Sequence, residues 1–313
     1  VITGQDVAEA GRRIAGRVRR TGVVEVDLAE YGASGRSLFK LEFMQHTGSF
    51  KPRGMLNRLL AARETDALSP AGVVCASGGN AGLAAAYAAR EIGVPIEVYV
   101  PRTAPPVKIA RLADLGATVV KHGEEYAQAH DAALKRVADT GALYCHAYDQ
   151  PEVVAGQGTL GLELWEQAGG IDTVLVAVGG GGLSSGIAAA LKGRARVVGV
   201  EPDRCPTLHA ALEAGHPVDV SVGGVAADAL GARRLGEIAY QVAVDAGMGS
   251  VLVDDRAIVE ARRLLWQRWR LLVEYGAAAA LAALTAGTYR PEPGERVAVV
   301  LCGANTDPAD LAS

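Results

Sequence analysis

The chain has 313 residues, half of them hydrophobic, enough for one large or two medium cores and inconsistent with a disordered polypeptide. Its formal net charge of −4 argues against electrostatic binding to nucleic acid or to an anionic membrane, both of which call for a basic excess. The cysteines Cys75, Cys145, Cys205 and Cys302 show no CxxC or Cys/His ligand spacing and are few for a disulfide scaffold, so a reducing cytoplasm is expected.

In chain order, "VITGQDVAEAGRRIAGRVRR" alternates basic and apolar residues and predicts an amphipathic helix; without an apolar core and small-residue cleavage site, no signal peptide is expected. "TGSFKPRGMLN" then sets Lys51 between an aromatic ring and a proline. Pro52 biases Lys51 toward extended conformations, which places it in a loop ahead of the helix "GMLNRLLAARE". From about residue 70, short β-rich runs alternate with longer helical ones, the pattern of an α/β protein. "GVVCAS" reads as a strand, "NAGLAAAYAAREIG" as a helix closed by Gly93, "IEVYVP" as a strand and "PVKIARLADLG" as a helix; "ATVVKH", "YAQAHDAALKRVADTG" and "ALYCHA" continue the alternation.

After "YDQPE" a second set begins with "DTVLVAV", "LSSGIAAALKG" and "RVVGVEP", and ends with a long helix from Asp254 to about Tyr275 and the strand "RVAVVLC". "YGAAAALAALTAG" is too short and alanine-rich to span a bilayer. The expected architecture is two open, mostly parallel twisted sheets flanked by helices. A large domain would comprise residues 1–68 and 148–313 and a small inserted α/β domain residues 69–147, with the site in the cleft beyond the carboxyl ends of the strands.

Two glycine-rich turns fall at such ends. In "VAVGGGGLSSG" a hydrophobic strand runs into Gly179, Gly180, Gly181 and Gly182, then Leu183 and a helix. Four residues without a Cβ let backbone N–H groups converge at a helix N-terminus, which cradles a phosphate without a lysine. The frame fits neither G-x-G-x-x-G nor a P-loop. In "CASGGNAGLAAAYAAR", Ser77 and Asn80 can hydrogen bond, and the N–H groups of Gly79, Asn80 and Ala81 would face an anion such as a carboxylate; a simple helix cap by Ser77 or Asn80 is the alternative. "VVLCGAN" brings Cys302 to a third strand end. His46, His146 and His209 lack a second ligand at metal spacing, and "RRLLWQRWRLL" has the apolar spacing of a core or dimer-contact helix.

A phosphate cradle plus a positioned lysine points to pyridoxal phosphate, whose aldehyde joins a lysine amine and whose ring is an electron sink. "TGSFKPRGMLN", "SGGNAGLAAAYAAREIGVP", "VPRTAP", "DQPEVVAGQGTLGLEL", "VAVGGGGLSSGIAAALK", "GVEP" and "VVLCGAN" resemble, in order and spacing, the fold type II pyridoxal phosphate enzymes, in particular the serine/threonine dehydratase and serine racemase branch, from about Lys40 to Asn305. The resemblance implies that Lys51 is the Schiff-base lysine, that Phe50 packs beside the cofactor ring and that Asn80 bonds its phenolic oxygen. It further implies that Ser77, Gly79, Asn80 and Ala81 hold the substrate carboxylate, that Gly179 to Leu183 hold the phosphate and that Cys302 faces the pyridine nitrogen.

The chain departs from that pattern in places. Gly78 stands where racemases of the branch carry a serine, "VGG" at Val222 to Gly224 replaces "ADG", and Glu274-Tyr275 replaces "EP". Glu201 matches one ligand of a cation site in some relatives, but Cys205 and Thr207 sit at the neighbouring positions, so no metal is expected. The expected reaction is β-elimination of a 2-amino-3-hydroxy acid such as L-serine or L-threonine to a 2-oxo acid and ammonia. The alternatives are cysteine synthase-like β-replacement, amino-acid racemisation, and a non-catalytic binder of the cofactor or an amino acid. The resemblance also implies a homodimer; with the chain ending at Ser313, no C-terminal effector domain is expected.

Overall fold

A computed structural model describes residues 1–31 and 35–311. Its N-terminal part forms α1 (Gly4–Ile14), β1 (Val23–Asp27), β2 (Arg36–Lys40) and α2 (Lys51–Glu64). β3 (Val73–Ala76), α3 (Asn80–Ile92), β4 (Ile96–Val100), α4 (Pro106–Asp114), β5 (Thr118–Lys121), α5 (Tyr126–Thr140) and β6 (Leu143–Cys145) follow. The remainder comprises α6 (Pro151–Ala168), β7 (Thr173–Ala177), α7 (Gly182–Leu191), β8 (Arg196–Pro202), α8 (Thr207–Ala214), α9 (Ala227–Leu230), α10 (Glu237–Ala246), β9 (Gly249–Val253), α11 (Asp255–Trp269), α12 (Tyr275–Thr285) and β10 (Val297–Val300).

Every residue of β3, β7 and β10 is buried, which requires helices on both faces and therefore parallel strands joined by crossovers. Two sheets result. Four parallel strands run in the order β5-β4-β3-β6, and six in the order β1-β2-β10-β7-β8-β9, with only the β1–β2 pair antiparallel. The smaller sheet is formed wholly by residues 73–145, between segments that build the larger one. Gly93 and Gly141 close α3 and α5 in the left-handed conformation, at φ 71° and 68°. No helix among the described residues is long and apolar enough to cross a membrane.

Two expectations are corrected. Lys51 is the first residue of α2 rather than part of a loop ahead of it, because the N–H that Pro52 lacks would have no helical partner in the first turn anyway. The long helix expected to reach Tyr275 stops at Trp269. Arg270 turns left-handed at φ 56°, and its guanidinium donates to the carbonyls of Trp266 and Gln267, capping the helix end without a glycine.

α2 is fixed in two ways. Gly54 and Gly156 let α2 and α6 meet backbone to backbone: a Cβ on Gly156 would lie 2.6 Å from the Arg53 carbonyl oxygen and 2.7 Å from the Gly54 Cα. Beside this contact lies a buried ionic cluster. Arg53 donates to Glu42 at 2.6 Å and to Glu163 at 2.9 Å, while Lys40 donates to Glu163 at 2.5 Å. Burial works against the Glu163 carboxylate, yet Arg53 and Lys40 hold it below the usual carboxylate range. Glu163→Ala would leave two buried cations short of a partner and should lower the unfolding free energy by about 3–5 kcal/mol, measured by urea denaturation.

Candidate active site

The segment before α2 is zipped to the segment after β10. Ser49 and Gly303 form an antiparallel bridge, the Phe50 N–H donates to the Cys302 carbonyl at 3.0 Å, and the Ala304 N–H donates to the Gly48 carbonyl at 2.9 Å. This brings Lys51 beside Cys302. Its amine crosses to the other sheet and donates to the carbonyl of Ala147, just past β6, at 2.7 Å; it lies 4.9 Å from the centre of the Phe50 ring. Burial lowers the Lys51 amine from 10.5 to about 8, against the opposing pull of Cys302, Cys75 and Glu274. Burial likewise pushes the Cys302 and Cys75 thiols up to about 12, so both stay neutral.

The four glycines open α7. Gly181 takes φ 85°, and the hydroxyls of Ser184 and Ser185 turn back to donate to its carbonyl at 3.1 and 2.7 Å. A Cβ on Gly180 would lie 2.4 Å from three atoms of the Tyr148 ring, and one on Gly181 would lie 2.6 Å from the Cβ of Ala239, so a side chain at either position would force its neighbour to shift. Leu183 is buried in the core of the larger sheet. The Thr207 hydroxyl donates to the Gly179 carbonyl at 2.5 Å and ties the loop to α8. Glu201 stands beneath that helix: its carboxylate accepts from the N–H groups of Leu208 and His209 at 2.7 and 2.8 Å and from Ser250 at 3.0 Å. Burial raises its pKa, and these donors are neutral. Among the described residues no group of three potential metal ligands occurs.

The third part of the cleft is the turn from β3 into α3. Ser77 accepts from the Gly79 N–H at 3.2 Å, and α3 opens at Asn80 with no side-chain cap, which leaves the first-turn N–H groups pointing outward. Asn80 donates to both oxygens of Glu274 at 3.0 Å and accepts from Asn305 at 2.7 Å, while the Asn305 N–H donates to Glu274 at 2.8 Å. Burial raises the Glu274 carboxylate, and the bond from Asn80 opposes the rise. Lys51, Phe50 and Cys302 thus meet at one point, Asn80 joins them through Glu274, and Ala147 and Tyr148 link the lysine to the glycine loop. Ser77, Gly79 and Ala81 lie on the turn that carries Asn80.

Sequence reasoning assigned no site role to Glu274, Asn305, Tyr148 or Thr207. Asn80 and Glu274 are 194 residues apart, and only the closure of both sheets brings them together. Tyr148 carried a usable signal, as a ring two residues beyond His146 at the carboxyl end of a strand. A glycine turn crowded against Tyr148 and Ala239, a helix N-terminus behind it and a buried lysine amine nearby fit the needs of pyridoxal phosphate, an anion to cradle and an aldehyde to join.

The model of the family described as pyridoxal-phosphate dependent enzyme matches residues 14–303. The chain belongs to this family, in its fold type II branch. It is 33% identical over 310 residues to an L-threonine ammonia-lyase of Thermotoga maritima, covering 98% of this chain and 76% of that one. It is 38% identical over 277 residues to a phenylserine dehydratase of Ralstonia pickettii, covering 88% and 84%. Among solved structures, a threonine deaminase from T.th. superposes with a TM-score of 0.89 at 36% identity, covering 97% of this chain and 99% of that one.

The buried amine and the glycine cradle each lead to a measurable outcome. The rate at which cofactor-free protein attaches pyridoxal phosphate should rise with pH through about 8, where the buried Lys51 amine loses its proton, and not through 10.5. Stability has the same sign. The unfolded lysine keeps its proton longer, so the burial cost present below about 8 is relieved as pH rises toward 10.5. Gly180→Ala, which drives a methyl into Tyr148, should weaken cofactor binding roughly tenfold, as expected for overpacking of about 1–3 kcal/mol, in a spectroscopic titration.

Proposed function

We propose that this enzyme eliminates water from a 2-amino-3-hydroxy acid, of which L-threonine and L-serine are the simplest examples, to give a 2-oxo acid and ammonia. The observation that carries the reading is the Lys51 amine, lowered to about 8 and held between the glycine loop and the turn of Asn80. When bound, pyridoxal phosphate supplies an electron sink that acidifies the Cα–H of an amino acid joined through its aldehyde. Lys51 holds the cofactor at rest and, once released as a neutral amine, takes the Cα proton. The backbone N–H groups of Gly179 to Leu183 hold the phosphate, and those of Asn80 and Ala81, with Ser77 and Gly79 shaping the turn, hold the substrate carboxylate. The Asn80 amide, now donating to both oxygens of Glu274, would turn from that carboxylate to the phenolic oxygen, and Phe50, beside the Lys51 amine, would flank the ring.

Cys302, a neutral thiol, does not transfer a full proton to the pyridine nitrogen, which favours prompt loss of the C3 hydroxyl over storage of charge in the ring. The Cα–H and C3–O bonds break, water departs, and the enamine released hydrolyses to the 2-oxo acid and ammonia. Racemisation needs a second proton carrier on the opposite face. At Gly78 a Cβ would meet nothing nearer than a Val100 methyl at 3.5 Å, so the space for one exists and the side chain does not. We further propose an inserted domain over residues 69–147, in keeping with the separate smaller sheet, and a cytoplasmic homodimer, in keeping with the family resemblance.

The test is release of 2-oxo acid from a panel of 2-amino-3-hydroxy acids. Lys51→Ala should cut the best rate at least about a thousandfold, the scale of losing the acid–base group. No D-serine should form from L-serine, and added sulfide should yield no cysteine. Substantial turnover by Lys51→Ala would refute the assignment; cysteine in place of 2-oxo acid would shift it to β-replacement.

A further inference from the structure

Five ring side chains form a continuous row beside the Lys51 amine. Tyr126 and His130 lie one turn apart on α5, while Tyr144, His146 and Tyr148 alternate along β6 and the segment after it, so each set presents one face. Neighbouring rings are 5.9, 6.0, 6.3 and 4.6 Å apart from Tyr126 through His130, Tyr144 and His146 to Tyr148. Three of the nine tyrosines and two of the six histidines of the chain fall in this row, in which Tyr144 packs against the core between α5 and the smaller sheet while the others lead away from it. None of the five is buried: all keep open surface, and Tyr126 is 55% exposed. The Tyr126 and Tyr144 hydroxyls make no hydrogen bond among the described residues, whereas the Tyr148 hydroxyl donates to the Arg234 carbonyl at 3.4 Å.

The row has a fixed origin. The Tyr148 ring covers Gly180 at the phosphate loop, and the Ala147 carbonyl that receives the Lys51 amine lies between His146 and Tyr148. His146 is locked by accepting from the N–H groups of Tyr148 and Asp149 at 3.3 and 2.8 Å. The nearby Asp149 carboxylate is occupied by the N–H groups of Glu237 and Ile238, both at 3.1 Å, so the row offers ring faces and neutral polar edges. The Lys51 amine must reach Cα, and the carboxylate goes to the turn at 77–81. The substituent on C3, two bonds from Cα, would then be left to run toward the rings of Tyr148 and His146.

We infer that this row is the subsite for the C3 substituent, and that the enzyme takes 2-amino-3-hydroxy acids bearing an aromatic ring on C3 in preference to the methyl of threonine. The inference rests on the elimination reading above. Edge-to-face and offset ring contacts reward an aryl group beyond its buried area, whereas a methyl group reaches no further than Tyr148 and His146. The product would be a 3-aryl-2-oxo acid, formed with water and ammonia by the same bond changes.

The test measures kcat/KM of the holoenzyme for L-threonine, L-serine, 3-hydroxyaspartate and L-threo-3-phenylserine from 2-oxo acid release. Phenylserine should exceed threonine by roughly tenfold or more, and Tyr126→Ala should lower the phenylserine-to-threonine ratio about 5–50-fold, whereas Tyr126→Phe, which keeps the ring, should preserve it. L-phenylalanine should also inhibit the unmodified enzyme more tightly than L-alanine, a readout that needs no variant to fold. Product from threonine with none from phenylserine, equal inhibition by the two unreactive amino acids, or equal losses on both substrates in Tyr126→Ala would overturn the inference and leave elimination standing. Product from no amino acid in the panel would overturn the elimination reading and the inference with it.

Discussion

A primary amine taken out of water and tied to a single carbonyl is the contact around which the molecule is arranged. Lys51 leaves the larger sheet's side of the cleft and ends on Ala147 of the smaller, so its position is only as exact as the alignment of the two sheets. That alignment is built into the backbone. The bridge between Ser49 and Gly303 fixes the start of α2, the glycine contact with α6 fixes its axis, and the Arg53–Glu42–Glu163–Lys40 cluster sets its rotation. Across the mouth, Lys108 of α4 meets Asp228 of α9 at 2.8 Å and joins the two walls a second time.

The electrostatics of the cleft follow from how it holds anions. The glycine turn and the turn before α3 both offer backbone N–H groups at helix N-termini, which under the proposed reading would hold a phosphate and a carboxylate without a second mobile cation. The remaining ionisable groups are drawn toward neutrality: burial raises the Glu274 carboxylate and the Cys75 and Cys302 thiols. Lys51 stands apart from them, with a pKa of about 8 that lets it exchange a proton near neutral pH. A site with one proton carrier on one face suits elimination better than racemisation, which needs two.

Much of this was legible in the sequence because it is local. The strand–turn–helix alternation, the left-handed glycines at 93 and 141 and the run Gly179–Gly182 are each set by backbone sterics within a few residues. What escaped depends on side chains doing the work of backbone signals, or on distance. Arg270 ends α11 with its own guanidinium in place of the glycine that would have marked the stop. Pro52 reads as a helix breaker, yet at the second position of α2 it helps begin one. Glu274, Asn80 and Asn305 come from three separate segments, and no spacing rule links them. The ring row lies between these cases, since its periods of two and four are visible in the sequence but the joining of β6 to α5 is not.

The central claim is that the Lys51 amine, and no other, attaches the cofactor. Reduction of the holoenzyme with borohydride, followed by peptide mass mapping, tests it directly. A single pyridoxyl-phosphate adduct on the peptide bearing Lys51 is the predicted result. An adduct on Lys40, Lys108 or any other lysine, or none at all in protein that retains the cofactor, would contradict it.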